Sequence, residues 1–245
     1  MNETNDSRLT AHDFRLTTVQ PPVPILYEDN HLLAVNKGVS DIVQGDQTGD
    51  PSLDKLLKAY LKVREGKPGE VFLGIPHRLD RPVSGVVVYA KTSKALSRMA
   101  QLFKEKKVDK IYHVIVEKCP DPESGALEHY LTRNTRQNKS YAHHREVPGS
   151  KLARLRYRKL ASSDHYHLLE VMLETGRHHQ IRAQLAAIGC IIKGDRKYGA
   201  RRSNKNGGIS LHARKIAFIH PVRNESMEIV APYPRMDIFP VFKIS

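Results

Sequence analysis

The chain has 245 residues, 40% of them hydrophobic and 27% charged, which is enough apolar length to bury a core and excludes a wholly disordered polypeptide. Its net charge of +14 is uneven: the first 50 residues hold three basic side chains against eight acidic ones, so the remainder carries +19, the field of a protein that meets a polyanion. Cys119 and Cys190 fit no CxxC or Cys/His ligand spacing, which excludes a disulfide framework, and no apolar run approaches the roughly 18 residues that cross a bilayer.

Residues 1–23 read as a polar tail, neither secretory signal nor transit peptide, closed by a proline cluster (Pro21, Pro22, Pro24) that blocks regular helix. One main domain is expected over 24–245, in a cytoplasmic setting. Ile25–Tyr27 and His31–Asn36 read as short strands joined by the Glu28, Asp29, Asn30 turn. Ser52 caps a helix with Leu53, Leu56, Leu57, Tyr60 and Leu61 at helical spacing, ended by Gly66. A loop from Val71 to Ser84 leads into a buried strand at Val86–Tyr89. The next helix starts at Thr92 or Ser93 and carries Leu96, Met99, Ala100 and Phe103 on one stripe. Strands are predicted at Lys110–Glu117, Leu127–Thr132, Arg154–Leu160, His167–Leu173, Ser210–Ile219 and Glu228–Val230, with one helix at Arg177–Ile188. Strands that follow one another without intervening helices imply an α/β (α+β) fold: a central mixed, largely antiparallel sheet with flanking helices.

Two segments concentrate the positive charge. Arg133–Lys159 holds nine Lys or Arg and one acid, and Lys193–Lys205 holds six against Asp195 alone. Neither has the periodicity of an amphipathic membrane-surface helix, so RNA or another polyanion is the expected partner and a membrane is not. The thirteen histidines include the adjacent pairs His143-His144 and His178-His179, whose side chains would point apart in a helix or strand. With no HExxH, CxxC, Walker loop or GxGxxG, neither a metal nor a nucleotide cofactor is expected.

The densest polar signal is Gly74-Ile75-Pro76-His77-Arg78-Leu79-Asp80-Arg81-Pro82-Val83-Ser84-Gly85, a loop at a strand edge that can hold a polar group rigidly and keep it open to a ligand. Taken alone, an aspartate between arginines is an ordinary ion pair. Further along stand Lys110-Ile111-Tyr112, then Gly176-Arg177-His178-His179-Gln180-Ile181-Arg182 with Gly194-Asp195 and Tyr198-Gly199, then Leu211-His212-Ala213. In this order, over about residues 25–232, the motifs resemble those of the RluA-like pseudouridine synthases, which act on ribosomal large-subunit or transfer RNA.

The resemblance implies cleavage of the C1′–N1 bond of a uridine, rotation of the base and rejoining through C5, without a cofactor. It also assigns roles. Asp80 matches the catalytic carboxylate, which must be ionised whether it attacks C1′, adds to the base or removes a sugar proton. Arg182 matches the arginine that pairs with it, and a guanidinium fork can orient a carboxylate through two hydrogen bonds. Tyr112 matches the tyrosine that stacks on the displaced base. Leu211 matches an apolar residue of the pocket. Arg78, Arg177, His77 and Gln180 are candidate substrate contacts, the arginines toward phosphates.

Three departures bear on loop geometry and substrate choice: Gly38 after Asn36-Lys37 where the family usually has Pro, Pro82-Val83 where it has Asp-Thr, and His178 where it has Thr or Ser. No accessory RNA-binding domain fits ahead of Ile25, and a monomer is expected. The rival readings are a noncatalytic RNA-binding or ribosome-assembly factor of the same fold, for which Asp80 would not matter, and an RNA glycosidase, which would release uracil.

Overall fold

The computed structural model describes residues 19–45 and 49–242; the expected tail lies outside the described residues except for 19–23. Ten strands form one sheet: β1 (Ile25–Glu28), β2 (Leu32–Lys37), β3 (Ser84–Ala90), β4 (Val108–Val116), β5 (Ser124–Asn134), β6 (Lys139–His143), β7 (Lys151–Ser162), β8 (His167–Leu173), β9 (Leu211–Ile219) and β10 (Ser226–Val230). Their spatial order is β1-β2-β3-β9-β4-β8-β7-β5-β6, with β10 also on β9. Every pairing is antiparallel except β3 with β9, as expected where hairpins rather than crossovers join neighbours.

The parallel seam is short, pairing only Ser84 with His212 and Gly85 with Ala213. Gly85 has φ +118°, and a Cβ there would lie 2.3 Å from the Ala213 carbonyl oxygen, so only glycine allows this approach. The Ser84 hydroxyl bonds to His212 Nδ1 at 2.9 Å across it. The rest of that edge of β3 is covered by the preceding loop. Gly74 and Ala90 exchange backbone hydrogen bonds, and His77 Nε2 accepts the Val88 N–H at 2.9 Å, an imidazole closing the ladder in place of a carbonyl.

Helices α1 (Leu53–Arg64) and α2 (Ser93–Lys104) add Leu53, Leu57, Tyr60, Leu61, Ala95 and Met99 to the core, each large aliphatic side chain contributing about 1.5–3 kcal/mol on burial. Leu56 and Ala100, expected on the buried stripes, face outward. Helix α3 (Gln180–Ala187) packs against β5 and β6 with residues 180–185 all buried, Arg182 among them. It starts three residues later than the sequence pattern suggests, because His179 adopts a left-handed conformation at φ +52° and turns the chain first. On the opposite face of the sheet, Ile115 and Leu168 meet Phe239 and Phe242 from the C-terminal segment.

Candidate active site

Asp80 leads a tight turn that the surrounding backbone clamps. The Val83 N–H donates to the Asp80 carbonyl at 3.0 Å, the Ser40 N–H to Arg81 O at 3.1 Å and the Ile209 N–H to Pro82 O at 3.0 Å. Lys37, the last residue of β2, is 1% exposed and donates from Nζ to the carbonyls of Gly38 (2.9 Å), Arg81 (3.0 Å) and Val83 (2.6 Å). Three carbonyls thus take its three donors. Burial draws the Lys37 pKa down to about 8, opposed by the carboxylates of Asp41 and Asp80. The Asp80 side chain emerges from this turn 32% exposed, and its Oδ1 has no hydrogen-bond partner among the described residues.

Asp80 Oδ2 lies 3.4 Å from Arg182 Nη1 and 3.4 Å from His179 Nε2. The expected two-pronged grip of Arg182 on Asp80 is corrected here: the fork closes on Asp195, Nε to Oδ2 at 2.7 Å and Nη2 to Oδ1 at 2.8 Å, leaving only Nη1 for Asp80. Arg182 and Asp195 are 4% and 1% exposed, so the pair is fully desolvated. Arg182 Nη1 also donates to His179 Nε2 at 2.9 Å, and the guanidinium lies 5.0 Å from the centre of the Tyr198 ring. His179 therefore presents a lone pair to a cation. Burial, then the Arg182 charge, pushes its pKa down to about 2, so its approach to Asp80 is not an ion pair. His179 Nδ1 donates to the Tyr198 hydroxyl at 3.0 Å, and that hydroxyl donates to the Ser140 carbonyl and accepts from the Ser140 N–H. One chain of bonds runs from β6 through Tyr198 and His179 to Arg182 and Asp80.

His178 and His179 were expected to point apart. Their rings instead stack 3.8 Å apart, because the left-handed turn at His179 breaks the regular alternation. His178 bonds to the Ser140 hydroxyl at 2.9 Å and to Asn138 Oδ1 at 3.0 Å, fastening the β5–β6 hairpin beside the site.

Tyr112 comes to the same place from β4. Burial, with the Asp80 charge adding to it, raises its phenol pKa above the usual value, so the hydroxyl stays protonated; it has no hydrogen-bond partner among the described residues. Leu211 is buried, paired with Val114 one strand over. Arg78 is exposed and, among the described residues, its one hydrogen bond goes to Gln44 at 3.4 Å; Arg177 is exposed with Nε on the Leu152 carbonyl.

Two expected substrate contacts are spent on the fold itself. His77 holds the Val88 N–H and stacks on Phe103 at 5.0 Å, and burial brings its pKa down to about 4. Gln180 is 3% exposed; it accepts from the Thr175 hydroxyl and the Arg177 N–H and donates to Arg154 O, so its amide shapes the turn before α3. The first basic segment is also less cationic than its sequence suggests. Arg154, Arg156, Arg158 and Lys159 pair with Glu128, Glu174, Glu170 and Glu123 from other segments. Arg133 and Lys197 stay close enough to the site to depress both His178 and His179.

Comparison with known proteins gives the family. Residues 31–187 match the family model described as RNA pseudouridylate synthase. The chain belongs to that family. A Mycobacterium bovis protein named "Uncharacterized RNA pseudouridine synthase" is 36% identical over 216 residues, 86% of this chain and 69% of the relative. "Ribosomal large subunit pseudouridine synthase D" of Zymomonas mobilis is 30% identical, covering 91% of this chain and 73% of its own. Among solved structures, "Human RNA Pseudouridylate Synthase Domain Containing 4" superposes with a TM-score of 0.73 at 25% identity, over 86% of this chain and 89% of that one. The chain is thus an RNA pseudouridine synthase with a mixed α+β fold.

Sequence reasoning gave no role to several residues that build the synthase's site. Lys37 carries a signal in retrospect, a lysine ending the apolar strand Leu-Leu-Ala-Val-Asn-Lys. Asp195 and Tyr198 stood in a motif without a partner, and Ser140 had no signal at all. Among the described residues no three His, Cys, Asp or Glu side chains group to hold a metal ion, and no helix is long and apolar enough to cross a membrane.

Proposed function

We propose that the synthase isomerises a uridine of ribosomal or transfer RNA with Asp80 as the reacting carboxylate, Arg182 holding it in place and Tyr112 lying against the displaced base. The observation that carries this reading is Asp80 itself: a carboxylate fixed on a clamped turn, one oxygen toward a buried guanidinium and the other open. Its charge is available to C1′, to the base or to a sugar proton. The C1′–N1 bond breaks, the C1′–C5 bond forms, C5 gives up its hydrogen and N1 gains a proton, so the RNA keeps its mass and its continuous strand.

Tyr112, protonated and with a free hydroxyl, supplies a flat surface for the base and a donor for its carbonyls. Leu211 backs the pocket. Arg78, Arg177, Arg133 and Lys197 ring the site with cations suited to phosphates, which position the strand without reading its sequence. The protein is proposed to work as a monomer in the cytoplasm.

The test is tritium release from RNA carrying 5-tritiated uridine, with pseudouridine mapping in cells that have or lack the gene. One site should disappear in the null strain and return with the wild-type gene but not with Asp80→Asn. Restoration by Asp80→Asn, or release of free uracil, overturns the reading.

A further inference from the structure

Lys110 lies on β4 two residues before Tyr112, hence on the same face of the strand. It is half-buried in a narrow crevice lined by His77, Val86, Tyr112, Ala213 and Lys215, so parts of three of the four sequence motifs meet around it. Its ammonium is directed at the turn that opens the remaining motif: a Cβ on Gly176 would sit 3.6 Å from Nζ.

Unlike its neighbours, this ammonium is unmatched. Lys215 in the same crevice pairs with Glu228 at 2.9 Å, and Lys37 has its three carbonyls. Lys110 has no hydrogen bond or ion pair among the described residues. Burial lowers its pKa, and the one carboxylate that opposes this, Asp109, is its sequence neighbour and projects from the other face of the strand. His77 cannot serve as a counter-charge, since it is neutral and is itself depressed by Lys110. A cation left unpaired in a partly dry crevice destabilises the free protein. An anion arriving from outside removes that penalty.

We propose that Lys110 is a phosphate-binding residue that grips a phosphodiester of the RNA strand beside the uridine stacked on Tyr112. This rests on the synthase reading of the site. Two strand residues span about 6.8 Å, close to one nucleotide step, so the phosphate engaged is one flanking the reacting nucleotide. Gly176 puts no side chain of its own beside Nζ.

The test compares wild type with Lys110→Met and Lys110→Arg, using a ten-nucleotide oligouridylate as the binding probe over a range of salt concentrations. Lys110→Met should bind roughly ten- to a hundredfold more weakly, with a log-affinity against log-salt slope shallower by about 0.7, one single-strand phosphate. Lys110→Arg should recover the wild-type slope. The melting temperature of Lys110→Met should equal or exceed wild type, because an unmatched charge has been removed. A wild-type salt slope in Lys110→Met overturns the proposal whatever the affinity, as does a lower melting temperature with affinity unchanged. Binding is read without turnover. If wild type binds the oligouridylate with this slope and releases no tritium from uridine-labelled RNA, the synthase reading of the site fails while the phosphate contact stands.

Discussion

Removing Asp195 isolates the contribution of a residue that never reaches the substrate. In Asp195→Ala the Arg182 guanidinium, 4% exposed, loses both bonds of its fork and keeps the bond to His179, the 3.4 Å contact with Asp80 and the face of Tyr198. Breaking a buried pair from one side costs about 3–5 kcal/mol, about a fifth or more of the stability of a typical domain, about 5–15 kcal/mol. Asp195→Asn retains one neutral acceptor and should lose less, about 2–3 kcal/mol. Urea unfolding of wild type, both single variants, Arg182→Met and the double variant Arg182→Met/Asp195→Ala gives the coupling directly. The double variant should be less destabilised than the sum of the singles, because neither charge is then stranded. Tritium release by folded Asp195→Asn should fall at least tenfold as Arg182 turns its fork toward Asp80 and draws that carboxylate off its aim. Additive stabilities, or wild-type turnover in folded Asp195→Asn, would refute this account of how Arg182 is held.

Asp80→Asn should abolish tritium release and leave the melting temperature within a few degrees of wild type, since a side chain 32% exposed with contacts of 3.4 Å contributes little to folding. Gly85→Ala should prevent soluble expression or cost more than about 3 kcal/mol in urea melts, because the added carbon meets the Ala213 carbonyl at the seam. Lys37→Met should lower turnover about tenfold or more while changing stability less, because relief of the buried charge offsets the loss of three carbonyl bonds; unchanged turnover would contradict the clamp. Acid should weaken the fold in a defined window. His113 and His212 are held down to about 4 by burial, below the unfolded value near 6.5, so the unfolded chain takes up protons first. The stability these groups contribute is complete above about pH 6.5 and is lost as pH falls toward 4, about 2 kcal/mol for each at pH 5. Urea midpoints measured across that range check the slope.

The parts of this molecule legible in its sequence were those with local, repeated signals. Alternating and continuous apolar runs gave nine of the strands, and helical spacing gave the three helices. Strand β6 was missed because Lys139–His143 is short, polar and at the sheet edge, where only pairing with β5 makes it a strand. The motif residues came to one site, yet their partners were not readable. A guanidinium beside two aspartates chooses between them by distance and burial, and 102 residues separate Arg182 from Asp80 against 13 from Asp195. The basic segment misled for the same reason: its neutralising glutamates lie on neighbouring strands, in the loop before β5 and just past the end of β8. His77 and Gln180 read as ligand contacts because polar side chains in motifs invite that reading, whereas both complete backbone hydrogen bonding that no periodicity records.

Asp80 and Arg182 belong to different flanks of the two-rung parallel seam. The carboxylate rides on the turn that feeds β3, while the guanidinium is anchored through α3 to the strands beyond β9. The two flanks meet across a joint two residue pairs long, bridged by Ser84 and His212 and by the Ile209 N–H on the Pro82 carbonyl. A small tilt between the flanks would change the distance between the Asp80 carboxylate and the Arg182 guanidinium, so that contact depends on the narrowest joint of the scaffold.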